Sequence, residues 1–329
     1  MTHALVGCAG ILVADMFCGP MDRLPAGGEL LSTSDMPAST GGCAANVAID
    51  LTRQNILAKI FGCVGSDLSG DSLLSDLERQ GIDCASVRRH ERLPTSKTVI
   101  LLVKNEDRRY IHSFGANAGF RAVDIGTASL EGLRVFYLGG LCAIPAIDTQ
   151  ALAALLARCR EQGIVTVIDV VVPQGKGSMD DIAPLLPHVD YFLPNDDEAA
   201  RLTGYDDPDD QADAFTCAGA NTVIITCGMA GAFAARGEDY WRTPIYAMDS
   251  VDPSGSGDAF CSGIITGIVH GWDMPRMLRY ASALGASATL QIGTTSSVFT
   301  FDEAQAFVAS HQLSVIGGRL NRKMKNHAL

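Results

Sequence analysis

The sequence predicts an α/β fold, with a mostly parallel central sheet, helices on both of its faces and a small β-rich lid. Three observations predict it. From about residue 133 onward, apolar strand-like runs alternate strictly with helical stretches, the pattern of a parallel sheet. The first apolar run, ALVGCAGILV at 4–13, has no polar alternation and reads as a strand buried on both faces. Two segments, near 16–40 and 95–115, interrupt the pattern and read as insertions that build a separate small sheet.

The elements follow in order. After the first strand, residues 21–40 are rich in Gly, Pro, Ser and Thr and leave the main body. CAANVAIDLTRQ after Gly41 and Gly42 has helical spacing, LAKIFGCV at 57–64 is the next strand, and DLSGDSLLSDLERQ is a helix stopped by Gly81. KTVILLVK (97–104) and RYIHSF (109–114) flank NEDR, a hairpin signal. Strands are then expected at RVFYLGG, IVTVIDV, VDYFLP and NTVIITC, with helices at 147–162, 178–186, 195–204 and 208–219. Two short strands, AGAFAAR and YWRTP, precede two long helices at 257–271 and 275–290. The segment 317–329 reads as a basic surface tail.

With 329 residues, 47% of them hydrophobic, the chain can bury a large core, and 1–329 is read as a single domain. A net charge of −12 argues against nucleic acid or an anionic membrane as the main partner. It does not argue against a phosphate ligand, which backbone N–H groups at a helix start can hold. The ten cysteines are scattered without a C-x-x-C pair and read as small buried hydrophobes of a reducing, cytoplasmic environment. The histidines are dispersed too, so no zinc site is expected. The apolar N-terminus carries no Lys or Arg before its run and is interrupted by Asp15, unlike a signal peptide. No apolar stretch reaches the ~18–20 residues of a membrane span.

Familiar nucleotide and hydrolase fingerprints are missing: there is no G-x-x-x-x-G-K-[ST], no G-x-G-x-x-G after the first strand and no G-x-S-x-G. One segment stands out, Asp252-Pro253-Ser254-Gly255-Ser256-Gly257-Asp258-Ala259-Phe260, directly before a long apolar helix. Its glycines let successive N–H groups converge, and the helix N-terminus adds partial positive charge, together a socket for a phosphoryl group. A carboxylate beside that socket can take a proton from an attacking hydroxyl. In isolation the same residues also fit a tight loop followed by a helix cap.

The whole set of motifs resembles the ribokinase-like (PfkB) family of carbohydrate kinases. The family's C-terminal signature, D-[TP]-x-G-A-G-D-x-F, is matched by DPSGSGDAF, with Ser256 in place of Ala. Its G-G-x-x-x-N-x-A is matched by Gly41-Gly42-Cys43-Ala44-Ala45-Asn46-Val47-Ala48, and its G-x-V-G-x-D-x-x-G by residues 62–70. Gly115-Ala116-Asn117, the N-x-x-E of Asn195 to Glu198, and Thr226-Cys227-Gly228 with Gly231 follow in the expected order.

The resemblance implies an ATP-dependent kinase acting on a small carbohydrate. Asp258 would be the base, and Gly255, Ser256 and Gly257 the anion hole for the γ-phosphate. Asn195 and Glu198 would orient Mg²⁺ through waters, though Asn195 also fits a helix N-cap completed by Glu198. Thr226 and Gly228 would touch the nucleotide, and Asn195 lies beside them. Asp252 and Ser254, with the loop 293–297, resemble a monovalent cation site that would take K⁺. Asp15, Gly41, Gly42, Asn46 and Asn117 would form the sugar site, and the lid would pack against a second subunit's lid in a homodimer.

Departures from the ribose-specific pattern stand at Val13, Cys43, Ala143 and Ile144, so a hexose, ketohexose or sugar acid is favoured over ribose. Arg108 and Arg109 on the hairpin could meet an anionic group or lie in a solvated turn. A nucleoside kinase of the same family, or a sugar-binding sensor without catalysis, are the alternatives.

Overall fold

In a computed structural model, the structure describes residues 5–104, 106, 108–175 and 177–320. The chain runs β1 (Leu5–Gly10), β2 (Val13–Met21), β3 (Ala38–Gly41), α1 (Cys43–Arg53), β4 (Leu57–Gly65), α2 (Leu68–Arg79), β5 (Asp83–His90), β6 (Lys97–Val103) and β7 (Arg109–Ser113). It continues β8 (Leu133–Gly139), α3 (Thr149–Glu161), β9 (Val165–Ile168), α4 (Met179–Ile182), β10 (Tyr191–Phe192), α5 (Asp196–Thr203), α6 (Pro208–Cys217) and β11 (Thr222–Thr226). β12 (Ala232–Arg236), β13 (Asp239–Thr243), α7 (Ser256–His270), α8 (Met274–Ala288), α9 (Phe301–Ser310) and β14 (Ile316–Arg319) complete it.

The large sheet has the order β14-β13-β12-β11-β10-β9-β8-β1-β4-β5. From β11 to β5 neighbouring strands are parallel, and β12 to β14 add an antiparallel edge. Alternate residues of one strand feed opposite cores. Ala9, Phe61, Phe136 and Leu138 pack under α3, α5 and α6. Cys8, Ile60, Val135 and Tyr137 pack under α1, α2, α7 and α8. This is the expected three-layer arrangement, and all ten cysteines are free, most of them buried in these cores.

The single strand expected at 4–13 is two strands in two sheets. Gly10 adopts φ 137, a conformation that L side chains rarely reach, and a Cβ there would lie 2.2 Å from the Gly139 carbonyl. The chain turns at this point and enters the second sheet, ordered β3-β2-β6-β7. Hydropathy hides the turn because Leu12 and Val13 are buried on its far side. Asn117 pins the turn: Leu12 N–H donates to its Oδ1 (3.0 Å), and its Nδ2 donates to the Leu12 carbonyl (2.9 Å). The lid therefore starts at Val13 rather than near 16, and Asp15 lies within its strand. The hairpin is as expected, with Lys97 opposite Ser113.

Other boundaries shift for local reasons. The helix expected at 178–186 is one turn of α-helix followed by a 3-10 turn at Leu186–His188. β5, which pairs with the edge of β4, is not among the sequence expectations, nor is α9, although Thr300 and Glu303 form its capping box. Of the expected tail, 317–319 pair with β13 in β14, and 321–329 lie outside the described residues. Among the described residues no helix is long and apolar enough to cross a membrane.

α7 carries two glycines in its interior for a packing reason. A Cβ on Gly263 would lie 2.5 Å from Ala281 Cα, and one on Gly267 would lie 2.6 Å from Met277 Cγ. Gly263→Ala would gain about 1 kcal/mol of helix propensity. Overpacking against α8 costs more, so a net loss of about 1–3 kcal/mol is expected. A urea midpoint equal to or above the wild-type value would contradict this account.

Candidate active site

The N-termini of α1 and α7 meet beside the carboxyl end of β9, in the interior of the large sheet. Gly255 is the N-cap of α7 in the left-handed conformation, φ 78. A Cβ there would lie 1.9 Å from the Thr294 carbonyl, so only glycine fits. A Cβ on Gly257, by contrast, would meet nothing within 4 Å. The space beside the first turn of α7 is therefore open, and a helix start of this kind favours an anion. Ser256 is the first helical residue of this turn.

Asp258 lies in the same turn. Asn46 Nδ2 donates to its Oδ2 at 2.7 Å, and the Cys43 thiol also bonds it. Burial raises the Asp258 carboxyl above the usual range, and the bonds from Asn46 and Cys43 partly offset that rise. Cys43 and Asn46 are three residues apart in α1 and so share a face. Thr294 Oγ1 donates to Asn46 Oδ1 at 2.9 Å, which leaves Asn46 buried with both amide ends used. Asn46 therefore holds Asp258 in place, where the sequence reading had it binding sugar. Asn117 is likewise 1% exposed, and its amide bonds both polar groups of Leu12, so it shapes the turn.

Asp15 is buried on β2, level with Thr98 on β6. Burial pushes its carboxyl up to about 7, the Thr98 hydroxyl opposes the rise and the charge of Asp258 adds to it. A Cβ on Gly41 would lie 1.8 Å from Asp15 Oδ2. Gly42, at φ 94, would place a Cβ 2.5 Å from the Ile11 carbonyl. The glycine pair is required first by the protein itself, to seat Asp15 and to start α1.

Asn195 caps α5: its Oδ1 accepts from Glu198 N–H (2.8 Å), and Glu198 Oε2 accepts from Asn195 N–H (3.1 Å). Glu198 is buried, and that burial pushes its carboxyl up to about 7, against backbone N–H bonds that favour its charged form. Asn195 also bridges to Thr226 at the end of β11, beside the exposed Gly228, where a Cβ would meet nothing within 4 Å.

Sequence reasoning missed Asp169. It follows β9, accepts from Tyr137 Oη (3.2 Å) and is pushed well up by burial and by the charges of Glu198 and Asp258. Its carboxyl, that of Asp258 and the Cys43 thiol lie within 4.8 Å of one another. The only signal was an Asp at the carboxyl end of an apolar strand, where ligands of such sheets sit. Asp169, Glu198 and Asp258 bring three buried or half-buried carboxyls into one region, and their hard oxygens suit Mg²⁺.

Asp252 is 3% exposed, and its carboxylate is crowded with donors. Oδ1 accepts from Ser254 N–H (3.0 Å) and Oγ (2.7 Å), and Oδ2 accepts from Gly293 N–H (3.2 Å). Arg108 Nη1 lies 3.6 Å from Oδ1. At the position where the resemblance implies a metal cation, the carboxylate meets a cation of the chain itself. Arg109 pairs instead with Glu106 in the hairpin turn.

Known proteins resemble this chain in sequence and fold. The pfkB family carbohydrate kinase profile matches residues 6–300. The ATP-dependent 6-phosphofructokinase of Thermoanaerobacterium thermosaccharolyticum is 27% identical over 77% of this chain and 80% of its own. Arabidopsis thaliana ribokinase, solved with ribose and ATP, superposes with a TM-score of 0.79 at 22% identity, over 94% of this chain and 99% of its own. A protein from Escherichia coli described as a ribokinase II, solved with ATP and Mg²⁺, superposes at 0.77 with 21% identity, over 94% and 100%. The match runs along most of the chain, and the chain belongs to the pfkB family of carbohydrate kinases, which transfer phosphate from ATP to sugar hydroxyls.

Proposed function

We propose that this kinase phosphorylates a neutral hexose or ketohexose, with Asp258 as the general base. One observation carries the reading: the Asp258 carboxyl is held by Asn46 and Cys43 in the first turn of α7, beside the open space at Gly257. Asp258 takes the proton of the acceptor hydroxyl, and that oxygen forms a bond to the γ-phosphorus. The bond from the γ-phosphorus to the bridging oxygen breaks, and ADP leaves with the electron pair. The N–H groups of Gly255, Ser256 and Gly257 receive the charge on the transferring group, fixed in place before reaction. Thr226, Gly228 and Asn195 line the nucleotide's approach. Glu198, Asn195 and Asp169 would hold Mg²⁺ through waters, and the ion would neutralise phosphate charge.

The acceptor is argued from charge. Asp15 can accept from two sugar hydroxyls, and with Asp258 it makes the acceptor side negative, which disfavours a sugar acid. The hairpin arginines do not offset this, since Arg108 lies against Asp252 and Arg109 against Glu106. Val13 and Cys43 stand where ribose-specific relatives carry other residues, which supports a six-carbon sugar. The lid supports pairing with a second subunit: β7 is an edge strand with Tyr110 54% and Ile111 63% exposed. Light scattering should give twice the chain mass, and a mass of one chain would count against the dimer.

Asp258→Asn keeps the shape of the Asn46 contact but removes the base. ADP release with fructose or glucose should fall by about 10²–10⁴-fold, with the melting temperature little changed. A rate within a few-fold of wild type would remove Asp258 from the role.

The Asp15 carboxyl titrates near 7, and its charged form is the better hydroxyl acceptor. Its value is raised, so protonation sets in as pH falls through about 7. The acceptor KM should rise across that window, and Asp15→Asn should give a high KM that is flat with pH. An unaltered KM profile in that variant would place acceptor recognition elsewhere.

A further inference from the structure

The loop that shapes the anion hole begins at Asp252, and the lid reaches it. Arg108 stands at the foot of β7, and its guanidinium lies between two anchors. Nε donates to Tyr110 Oη, with the guanidinium over the Tyr110 ring at 5.8 Å, and Nη1 lies 3.6 Å from Asp252 Oδ1. The Arg108 side chain is 20% exposed and Asp252 3%, so the pair is shielded from water. Hairpin and loop face each other across a cleft of about 310 Å³ lined in part by Pro20, Leu102, Lys104, Pro253 and Ile292.

A buried carboxylate needs a counter-charge. Hydrogen bonds from Ser254 and Gly293 orient Asp252 but bring no net positive charge. A monovalent metal could supply it, with Ser254 Oγ and nearby carbonyls as further oxygens. A guanidinium supplies it too, and unlike an ion it is tethered to the lid. We propose that Arg108 is a built-in cation at Asp252, a positioning residue that replaces a monovalent metal and ties the lid hairpin to the anion-hole loop. Gly255 lies three residues beyond Asp252, so tension or slack at Asp252 is felt where the phosphoryl group is held.

Two readouts test this, and only the first rests on the kinase reading. Phosphorylation of fructose and thermal unfolding are compared in KCl and in choline chloride at equal ionic strength, for wild type, Arg108→Ala and Arg108→Lys. Wild type should show the same rate and the same melting temperature in both salts. Arg108→Ala in choline should show an ATP KM raised about tenfold, the worth of one charged contact. KCl should recover much of that loss and raise the melting temperature of Arg108→Ala alone, and Arg108→Lys should lie between.

A wild type activated or stabilised by K⁺, with Arg108→Ala responding identically, would overturn the proposal, because the metal would then be at Asp252 regardless of the arginine. An Arg108→Ala protein indifferent to K⁺ in both readouts would overturn it as well. Should Arg108→Ala fail to fold, the wild-type salt comparison and Arg108→Lys still decide. Absence of turnover with every acceptor would refute the kinase reading, while the unfolding arm would still report on Arg108.

Discussion

The hydrogen bond from Asn46 to Asp258 is the contact on which the site depends. It joins residues 212 positions apart and brings the first turn of α1 against the first turn of α7. Each helix start carries unpaired N–H groups and partial positive charge, so the two would repel if nothing negative lay between them. The Asp258 carboxylate fills that place. Thr294 completes the joint from a third segment, since its hydroxyl orients the Asn46 amide and its carbonyl backs Gly255 so closely that no side chain fits. One residue thus sets both the aim of Asp258 and the curl of the loop that opens α7. The arrangement costs stability, because a buried carboxylate with a raised titration point prefers to be neutral. Tight α7–α8 packing through Gly263 and Gly267 holds the helix in place against that cost.

The electrostatics of the site follow from the same crowding. Asp15, Asp169, Glu198 and Asp258 are all pushed above the ordinary carboxylate range by burial, and several push one another further. Such a cluster is poised for ligands that bring positive charge and hydrogen-bond donors. On the proposed function, a sugar would bring hydroxyl donors to Asp15, and a nucleotide's cation would lie toward Glu198 and Asp169. A helix start can receive phosphate oxygens on backbone N–H groups, which suits a chain of net charge −12.

Much of this was legible in the sequence, and the remainder was hidden for identifiable reasons. The alternation of strands and helices after residue 133 and the DPSGSGDAF segment appear where periodicity and glycine spacing put them. The β1–β2 turn was hidden because apolar residues flank it on both sides and only Gly10 marks it. Asn46 and Asn117 were recognised as special, but their partners lie 212 and 105 positions away. An amide is equally suited to a sugar or to the backbone, so spacing could not tell which one it serves. Cys43 reads as one more apolar cysteine until the helix places it beside Asp258. Asp169 carries no motif, and its meaning comes only from the neighbouring strand ends.

The division between the two sheets bears on how such a chain can choose its acceptor. Asp258, the anion hole and the Glu198 cluster all belong to the large sheet and its helices. Asp15 lies on β2 in the small sheet, where Thr98 of β6 bonds it and His112 of β7 bonds Thr98 at 2.9 Å. The two halves are joined at several places, among them the Gly10–Leu12 turn that Asn117 pins, the bonds of Thr95 to Gly65 and Asp67, the passage from Gly41 into α1 and the Arg108–Asp252 contact. Changes within the lid can therefore alter the acceptor while the phosphoryl-transfer half keeps its geometry. The reverse does not hold, since a change at Asn46 or Thr294 displaces Asp258 whatever the acceptor. That asymmetry gives a physical reason why relatives with this fold carry names as different as ribokinase and 6-phosphofructokinase.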